Sequence, residues 1–149
     1  MCFSGRLNNA LRSLSENSPK YLIDTDWLID LLKGVELVRQ KLQEFSHDGL
    51  SISIISLAGI YVGIYDSKTQ DKQQQSLDAF LTPNLVVLGI DADICKVFAR
   101  QRKVLRKSGL LIDDFDLLIA ATAICYDLVI LTNNIRHFKR VENLKIISL

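Results

Sequence analysis

The chain has 149 residues, about the length of one ordinary domain. Hydrophobic residues make up 48% of it and charged residues 23%, a globular composition that excludes general disorder. The formal net charge is +1, so binding to nucleic acid would have to come from local clusters of cations and not from overall charge.

Cysteine usage predicts a cytoplasmic protein. Cys2, Cys95 and Cys125 are too few and too scattered for a disulfide framework, and they form no CxxC or Cys/His metal motif. The most apolar stretch, residues 117–126, is far shorter than the roughly 20 residues that a membrane-spanning helix needs. We therefore expect no membrane segment.

Residues 1–20 are predicted to be an N-terminal extension, and residues 21–149 the folded domain. The first twenty residues have little strand character and end close to Pro19, while three of their leucines recur at helical spacing. From Tyr21 onwards, short apolar runs alternate with segments of helical periodicity, which is the pattern of a parallel α/β fold.

The predicted elements follow in chain order. The first are a strand at 21–24, a helix capped by Thr25 that ends near Gly34, a helix at 35–45, a strand at 51–55 and a helix from Ser56. A polar stretch at 66–75 then leads into a helical segment ending at Pro83. The last are a strand at 85–88, a helix capped by Asp91 and closed by Gly109, an apolar helix at 116–126, and strands at 128–131 and 145–147. This order predicts a mostly parallel sheet of about five strands, with functional residues at the carboxyl ends of the strands.

Acidic and amide side chains occur at these predicted strand ends. Asp24 and Asp26 follow the first strand, and residues 132–134 (Thr-Asn-Asn) follow the fourth. Asp116 opens the helix that precedes the fourth strand. Carboxylates that converge without basic partners repel one another unless a hard cation is bound, so the pattern suits a divalent metal site for phosphate chemistry. Taken singly, Asp24 and Asp26 are better explained as helix N-caps.

Four segments add a more specific signal: YLIDTDWLIDLL, ISIISLAGIYVGI, LIDDFDLLIAATAICYDLVILTNN and IRHFKRVENL. In order and spacing they resemble the landmark blocks of PIN-domain ribonucleases, in particular the VapC-type toxins of type II toxin–antitoxin systems. The resemblance covers about residues 21–149. It implies a PIN-like three-layer α/β/α fold and metal-dependent hydrolysis of RNA, with Mg²⁺ or Mn²⁺ as the cofactor and an antitoxin protein as a partner.

The resemblance also implies roles for individual residues. Asp24 and Asp116 match positions that are usually metal ligands, and Asn134 matches a catalytic position that is acidic in many members. The expected supporting polar residues are Thr25, Asp26, Asp114, Thr132 and Asn133, with Asp114 as the expected cap of its helix. We expect Arg136 and Lys139 to contact the RNA backbone, and we interpret the nearby His137 as structural or RNA-facing.

One position departs from the family pattern. The family carries Glu in a TLAE motif where this chain reads SLAG, with Gly59. The missing carboxylate predicts reduced or lost nuclease activity. The alternative hypothesis is a catalytically inactive PIN-like module that binds an antitoxin or RNA. A phosphoacceptor receiver domain is disfavoured because the chain has neither the Asp at the end of a middle strand nor the later Lys that it requires.

Two surfaces suggest partners. Apolar residues in the helix after Ser56 exceed what one buried stripe requires, which predicts a homodimer or a contact with a partner helix; they are Leu57, Ile60, Tyr61, Ile64 and Tyr65. Five cations between Arg100 and Lys107 fit either a solvated helix face or a track for RNA phosphates.

Overall fold

The computed structural model describes residues 18–149, which contain a five-stranded sheet in which every pairing is parallel. The strands are β1 (Tyr21–Ile23), β2 (Leu50–Ser53), β3 (Val86–Leu88), β4 (Val129–Leu131) and β5 (Lys145–Ile147). The α/β fold class predicted from the sequence is confirmed. The predicted helical spacing of leucines near the N-terminus lies outside the described residues.

Helices fill the connections between the strands. They are α1 (Thr25–Leu32), α2 (Glu36–Phe45), α3 (Ile54–Tyr65), α4 (Gln70–Phe80), α5 (Ala92–Lys107), α6 (Asp114–Tyr126) and the short α7 (Ile135–Phe138), with a 3₁₀ turn at Ser46–Asp48. In the described part of the chain, no helix combines the length and the apolar character needed to cross a bilayer.

The core has two halves because side chains alternate across each strand. Leu22 of β1 and Ile130 of β4 pack against α5, α6 and α7 on one face of the sheet. Ile23 and Leu131, their chain neighbours, pack against α1 to α4 on the other face. The domain is therefore a three-layer α/β/α structure.

The strand order, β3-β2-β1-β4-β5, places the functional edge. Strands β2 and β3 are added in turn on one side of β1, and β4 and β5 are then added on the other side. The strand order therefore reverses between β1 and β4. In parallel α/β sheets, ligands bind beyond the carboxyl ends of the strands at such a switch point.

Several predicted boundaries need correction. The second strand ends at Ser53 and not at residue 55, because the Ser53 hydroxyl accepts a hydrogen bond from the Ile55 backbone N–H (3.1 Å) and so caps α3. The second helix begins at Glu36, with Val35 as its N-cap residue. The stretch predicted only as polar is largely helical, since α4 begins at Gln70 and buries Leu77.

Other local predictions are confirmed. The Asp91 carboxylate accepts a hydrogen bond from the Ile94 backbone N–H (2.9 Å) and caps α5. Gly109 follows the C-cap of the same helix with a φ of +68°, a backbone conformation that favours glycine.

Candidate functional site

The candidate site lies at the switch point between β1 and β4. Asp24 follows β1, and its backbone N–H donates to the Leu131 carbonyl at the end of β4 (2.9 Å). Thr132 follows β4 and is tied in the same way to β5, through the Ile147 carbonyl (3.0 Å). The parallel ladders thereby hold both side chains at one edge of the sheet.

Asp24 is a buried carboxylate with one satisfied oxygen. Its side chain is only 3% exposed, and its Oδ2 accepts a hydrogen bond from the Thr132 hydroxyl (2.7 Å). Its Oδ1 is buried and has no hydrogen-bond partner among the described residues. The pKa of Asp24 is raised from 3.8 to about 7, mainly by desolvation on burial and to a smaller extent by the negative charges of Asp26 and Asp116, against the lowering effect of the Thr132 hydroxyl.

Asp26 holds the loop after β4. Its Oδ2 accepts a hydrogen bond from the Asn133 backbone N–H (2.8 Å) and lies 3.4 Å from the Thr132 hydroxyl. Its Oδ1 accepts from the Trp27 backbone N–H (2.7 Å). Burial raises the pKa of Asp26, while these two backbone donors oppose the rise. Asp26 therefore fixes the position of the loop that carries Thr132.

Asp116 is reached by donors from a different element. It lies in the first turn of α6, and its Oδ2 is 3.3 Å from the Asn134 side-chain nitrogen and 2.7 Å from the His137 Nδ1. The Asn134 backbone N–H donates to the Thr132 hydroxyl (3.0 Å). A continuous chain of hydrogen bonds thus connects Asp24, through Thr132 and Asn134, to Asp116.

The contact between His137 and Asp116 was missed by sequence reasoning. His137 was interpreted as structural or RNA-facing, whereas its ring contacts a predicted metal ligand. One signal was available, because His137 follows Asn134 by three residues, and side chains at this spacing share a face of a helical turn.

Gly59 lies on α3 close to this site. A Cβ atom added at Gly59 would lie 3.5 Å from the Thr25 methyl carbon, which is ordinary van der Waals contact. The Thr25 hydroxyl donates to the Ser56 hydroxyl oxygen (3.0 Å), so Thr25 ties α1 to α3 close to Gly59. A groove of about 200 Å³ opens there, and Gly59 and Gly63 form part of its lining.

Two predicted helix caps are wrong. Thr25 is the first residue of α1, and Asp24 occupies the N-cap position with extended backbone angles, although its side chain makes no capping hydrogen bond. Asp113, and not Asp114, caps α6 by accepting from the Phe115 backbone N–H (2.9 Å). Asp114 instead forms an ion pair with Arg102, with 3.0 Å between its Oδ1 and the Arg102 Nε.

The residues predicted to contact RNA lie on the short helix next to the site or directly after it. Arg136 and Lys139 are both exposed on or next to α7, the helix that carries His137. Asn133, a predicted supporting residue, is exposed, and its Oδ1 accepts from the Leu149 backbone N–H (2.9 Å). The RNA contacts themselves stay a prediction.

The side chains of the site supply some of the oxygen ligands that a hard cation needs. Carboxylate oxygens are the ligands that Mg²⁺ and Mn²⁺ prefer, and the buried Oδ1 of Asp24 has no other partner among the described residues. Across residues 18–149, however, no three His, Cys, Asp or Glu side chains converge as a ready metal-ligand group. The family resemblance predicts a further carboxylate at the position of Gly59.

Comparison with known proteins gives the family. The chain matches the family described as PIN domain over residues 21–144. It is 35% identical to Ribonuclease VapC1 of Methanocaldococcus jannaschii over 136 residues, which are 91% of each chain. It is 33% identical to Ribonuclease VapC19 of Mycobacterium tuberculosis over 126 residues, which are 83% of this chain and 96% of the relative.

Solved structures agree with the sequence comparisons. The fold superposes with a TM-score of 0.81 on a chain from the structure of VapBC2 of Rickettsia felis bound to a DNA fragment from their promoter, with 30% identity over 87% of this chain and 98% of the other. For DNA-bound VapBC of Salmonella typhimurium, the TM-score is 0.80, with 26% identity over 88% of this chain and 98% of the other. The chain therefore belongs to the PIN-domain family and, within it, to the VapC ribonucleases.

Proposed function

We propose that this protein is a divalent-metal-dependent endoribonuclease that hydrolyses RNA at the edge between β1 and β4. The observation that carries this proposal is the buried, unpartnered Oδ1 of Asp24 at the switch point of the sheet, in a chain that belongs to a ribonuclease family. A buried carboxylate oxygen without a partner is costly, and a bound cation would offset this cost.

Asp24 and Asp116 would hold Mg²⁺ or Mn²⁺. When bound, such a cation lowers the pKa of a coordinated water and stabilises negative charge on phosphate oxygens. The Thr132 hydroxyl orients Asp24 through Oδ2, which leaves the other oxygen free for this role. Asn134 connects Thr132 to Asp116, so that one loop orients both acids.

The exposed cations beside the site would bind the substrate. Arg136 on α7 and Lys139 at its C-terminal end are both exposed to solvent. A guanidinium and an ammonium group there would pair with phosphates of an RNA strand and hold it across the two acids. An RNA substrate is consistent with the cytoplasmic localisation that the cysteine pattern predicts.

Gly59 would make the natural chain a slow nuclease. The family Glu would add a third carboxylate beside Asp24 and Asp116. A Cβ atom at Gly59 would make only ordinary van der Waals contact with Thr25, so a side chain can be added at this position without a clash. A residue that orients a metal or its water is worth roughly 10–100-fold in metal affinity or activity.

The test compares RNA cleavage by the natural chain and by the Gly59→Glu variant, in Mg²⁺ and in a chelator. Gly63→Glu is the matched control. Gly63 is exposed one turn later on α3, and its replacement by Glu adds the same charge and the same gain in helix propensity. We expect Gly59→Glu to raise metal-dependent cleavage at least about tenfold, and Gly63→Glu to leave it unchanged. Asp116→Asn in the Gly59→Glu background should abolish the gain.

Equal cleavage by the Gly59→Glu and Gly63→Glu variants would contradict the assignment of Gly59 as the vacant catalytic position. Cleavage that persists in chelator would contradict metal dependence.

A second candidate function is a catalytically inactive module that binds an antitoxin or RNA. The absence of a three-ligand metal group among residues 18–149 favours it. The same assay discriminates the two functions, because an inactive module cuts no RNA in Mg²⁺, whereas a slow nuclease cuts it and loses that activity in Asp24→Asn.

The proposed protein partners are an antitoxin and a second copy of the chain. The structural neighbours from Rickettsia felis and Salmonella typhimurium are toxin–antitoxin complexes, which supports an antitoxin partner. On α3, Ile60 and Ile64 are buried within their own chain, so they are not part of a dimer surface as the sequence had suggested. Val62 and Tyr65, which are 62% and 67% exposed, are the most exposed large apolar side chains of α3 and would be available to a partner.

A further inference from the structure

The contact between His137 and Asp116 has no role in the function proposed above. His137 Nδ1 lies 2.7 Å from Asp116 Oδ2, and both atoms lie within hydrogen-bonding distance of the Asn134 side-chain nitrogen, at 3.1 and 3.3 Å. The Asp116 side chain is 23% exposed and the His137 side chain 35%, so the contact is sheltered from full solvation.

Counting donors and acceptors assigns the proton in this cluster. A carboxylate oxygen only accepts hydrogen bonds, and a ring nitrogen without a hydrogen does the same. Two acceptors facing each other at 2.7 Å would repel, so His137 Nδ1 must carry the hydrogen and donate it to Asp116. The Asn134 amide nitrogen, also a donor, then donates to Asp116 and not to the ring.

The main chain holds the imidazole in this position. His137 lies on α7, and the next residue, Phe138, is completely buried among the side chains of α6, Leu117 among them. Asn134, the N-cap residue of α7, is anchored through its backbone N–H to the Thr132 hydroxyl. Both donors to Asp116 therefore come from a turn that the core and the loop after β4 fix.

We propose that His137 is a positioning residue for Asp116. With Asn134, it holds Oδ2 of the carboxylate from one side and so leaves Oδ1, which no donor reaches among the described residues, as the oxygen for the cation. This inference rests on the proposed metal-dependent function. It adds an imidazole to a site for which the sequence predicted acids, amides and hydroxyls.

The hydrogen bond can be tested without a metal. The chain contains two histidines, His47 and His137, so His47→Gln leaves His137 as the only imidazole outside any purification tag. A long-range ¹H–¹⁵N NMR spectrum of the metal-free, untagged protein should show the hydrogen on Nδ1 of His137. A neutral ring with its hydrogen on Nε2 would overturn the proposal.

The positioning role is tested by Mn²⁺ affinity, measured by electron paramagnetic resonance, in three variants. His137→Ala removes the donor, and we expect it to weaken binding about tenfold. His137→Asn places an amide nitrogen near the position of Nδ1, and we expect it to restore affinity to within about threefold of the natural chain. Asp116→Asn is the reference for loss of the ligand itself.

The outcomes separate the two proposals. Weakened Mn²⁺ binding in Asp116→Asn, together with unchanged binding in His137→Ala, would overturn the positioning role alone. Equal weakening in His137→Ala and His137→Asn would also overturn it, because the amide would not have replaced the ring donor. A natural chain that binds no Mn²⁺ would overturn the proposed function and this inference with it.

Discussion

The buried Asp24 carboxyl predicts that the metal-free domain loses stability as the pH rises through neutrality. The unfolded chain gives up the Asp24 proton near 3.8, whereas the folded domain retains it until its raised pKa of about 7. Over this window the unfolded state binds fewer protons than the folded state, so the free energy of unfolding falls as the pH rises. The stabilising contribution is complete below the lower pKa and is lost by the higher one.

The size of the effect follows from the two pKa values. A rise from 3.8 to about 7 corresponds to about 4 kcal/mol over the whole titration, since each pKa unit is worth about 1.4 kcal/mol. Between about pH 5 and about pH 8, the free energy of unfolding falls by roughly 2.5 kcal/mol of this total.

Asp24→Asn isolates this contribution. An amide at this position does not titrate, and any cost of its unpartnered nitrogen is the same at both pH values, so it cancels in the difference between them. We expect the variant to lack the roughly 2.5 kcal/mol loss that the natural chain shows between about pH 5 and about pH 8. Asp71→Asn, which changes an exposed carboxylate on α4, should behave like the natural chain.

Urea unfolding at the two pH values measures the effect. The fluorescence of Trp27, the only tryptophan in the chain and a fully buried one, reports the transition. The same change in unfolding free energy for the natural chain and for Asp24→Asn would refute the reasoning, because it would mean that Asp24 does not retain its proton on folding.

Two further changes test contacts elsewhere in the domain. Thr132→Val removes the hydroxyl that donates to Asp24, and we expect urea unfolding to show a loss of about 1–3 kcal/mol that Thr132→Ser, which keeps the hydroxyl, largely avoids. Unchanged stability in Thr132→Val would contradict the contribution of this hydrogen bond. Light scattering at micromolar concentration should show a dimer that Val62→Asp combined with Tyr65→Asp converts to a monomer. A monomeric natural chain would contradict the dimer.

The order of helices and strands was predictable because each element carries its signal in neighbouring residues. Asp91 and Gly109 bound α5 through a capping carboxylate and a left-handed backbone angle, both of which are local preferences. The prediction that Asp24 and Thr132 share one edge of the sheet also needed only the alternation of strands and helices, because parallel connections bring the carboxyl ends of strands together.

The sequence did not show which of several neighbouring residues caps a helix. Thr25 and Asp114 both have good capping side chains, yet neither caps its helix. Ser56 accepts the hydrogen bond of the Thr25 hydroxyl, and Arg102 pairs with the Asp114 carboxylate. Distant partners therefore engage side chains that local preference alone assigns to helix capping.

The sequence by itself determined the fold class and the acids at the strand ends, because these depend on residue type and local order, whereas the missing carboxylate at Gly59 is a prediction from the family resemblance. The tertiary structure alone decided that Asp24 is buried with one oxygen unpartnered, that His137 contacts Asp116, and that Val62, not Ile60, faces solvent. Burial and hydrogen bonding depend on how segments distant in the chain meet, as Asp24 and Thr132 do across 108 positions. No local pattern of residues encodes such a meeting, since its geometry is set by the packing of the whole sheet and its helices.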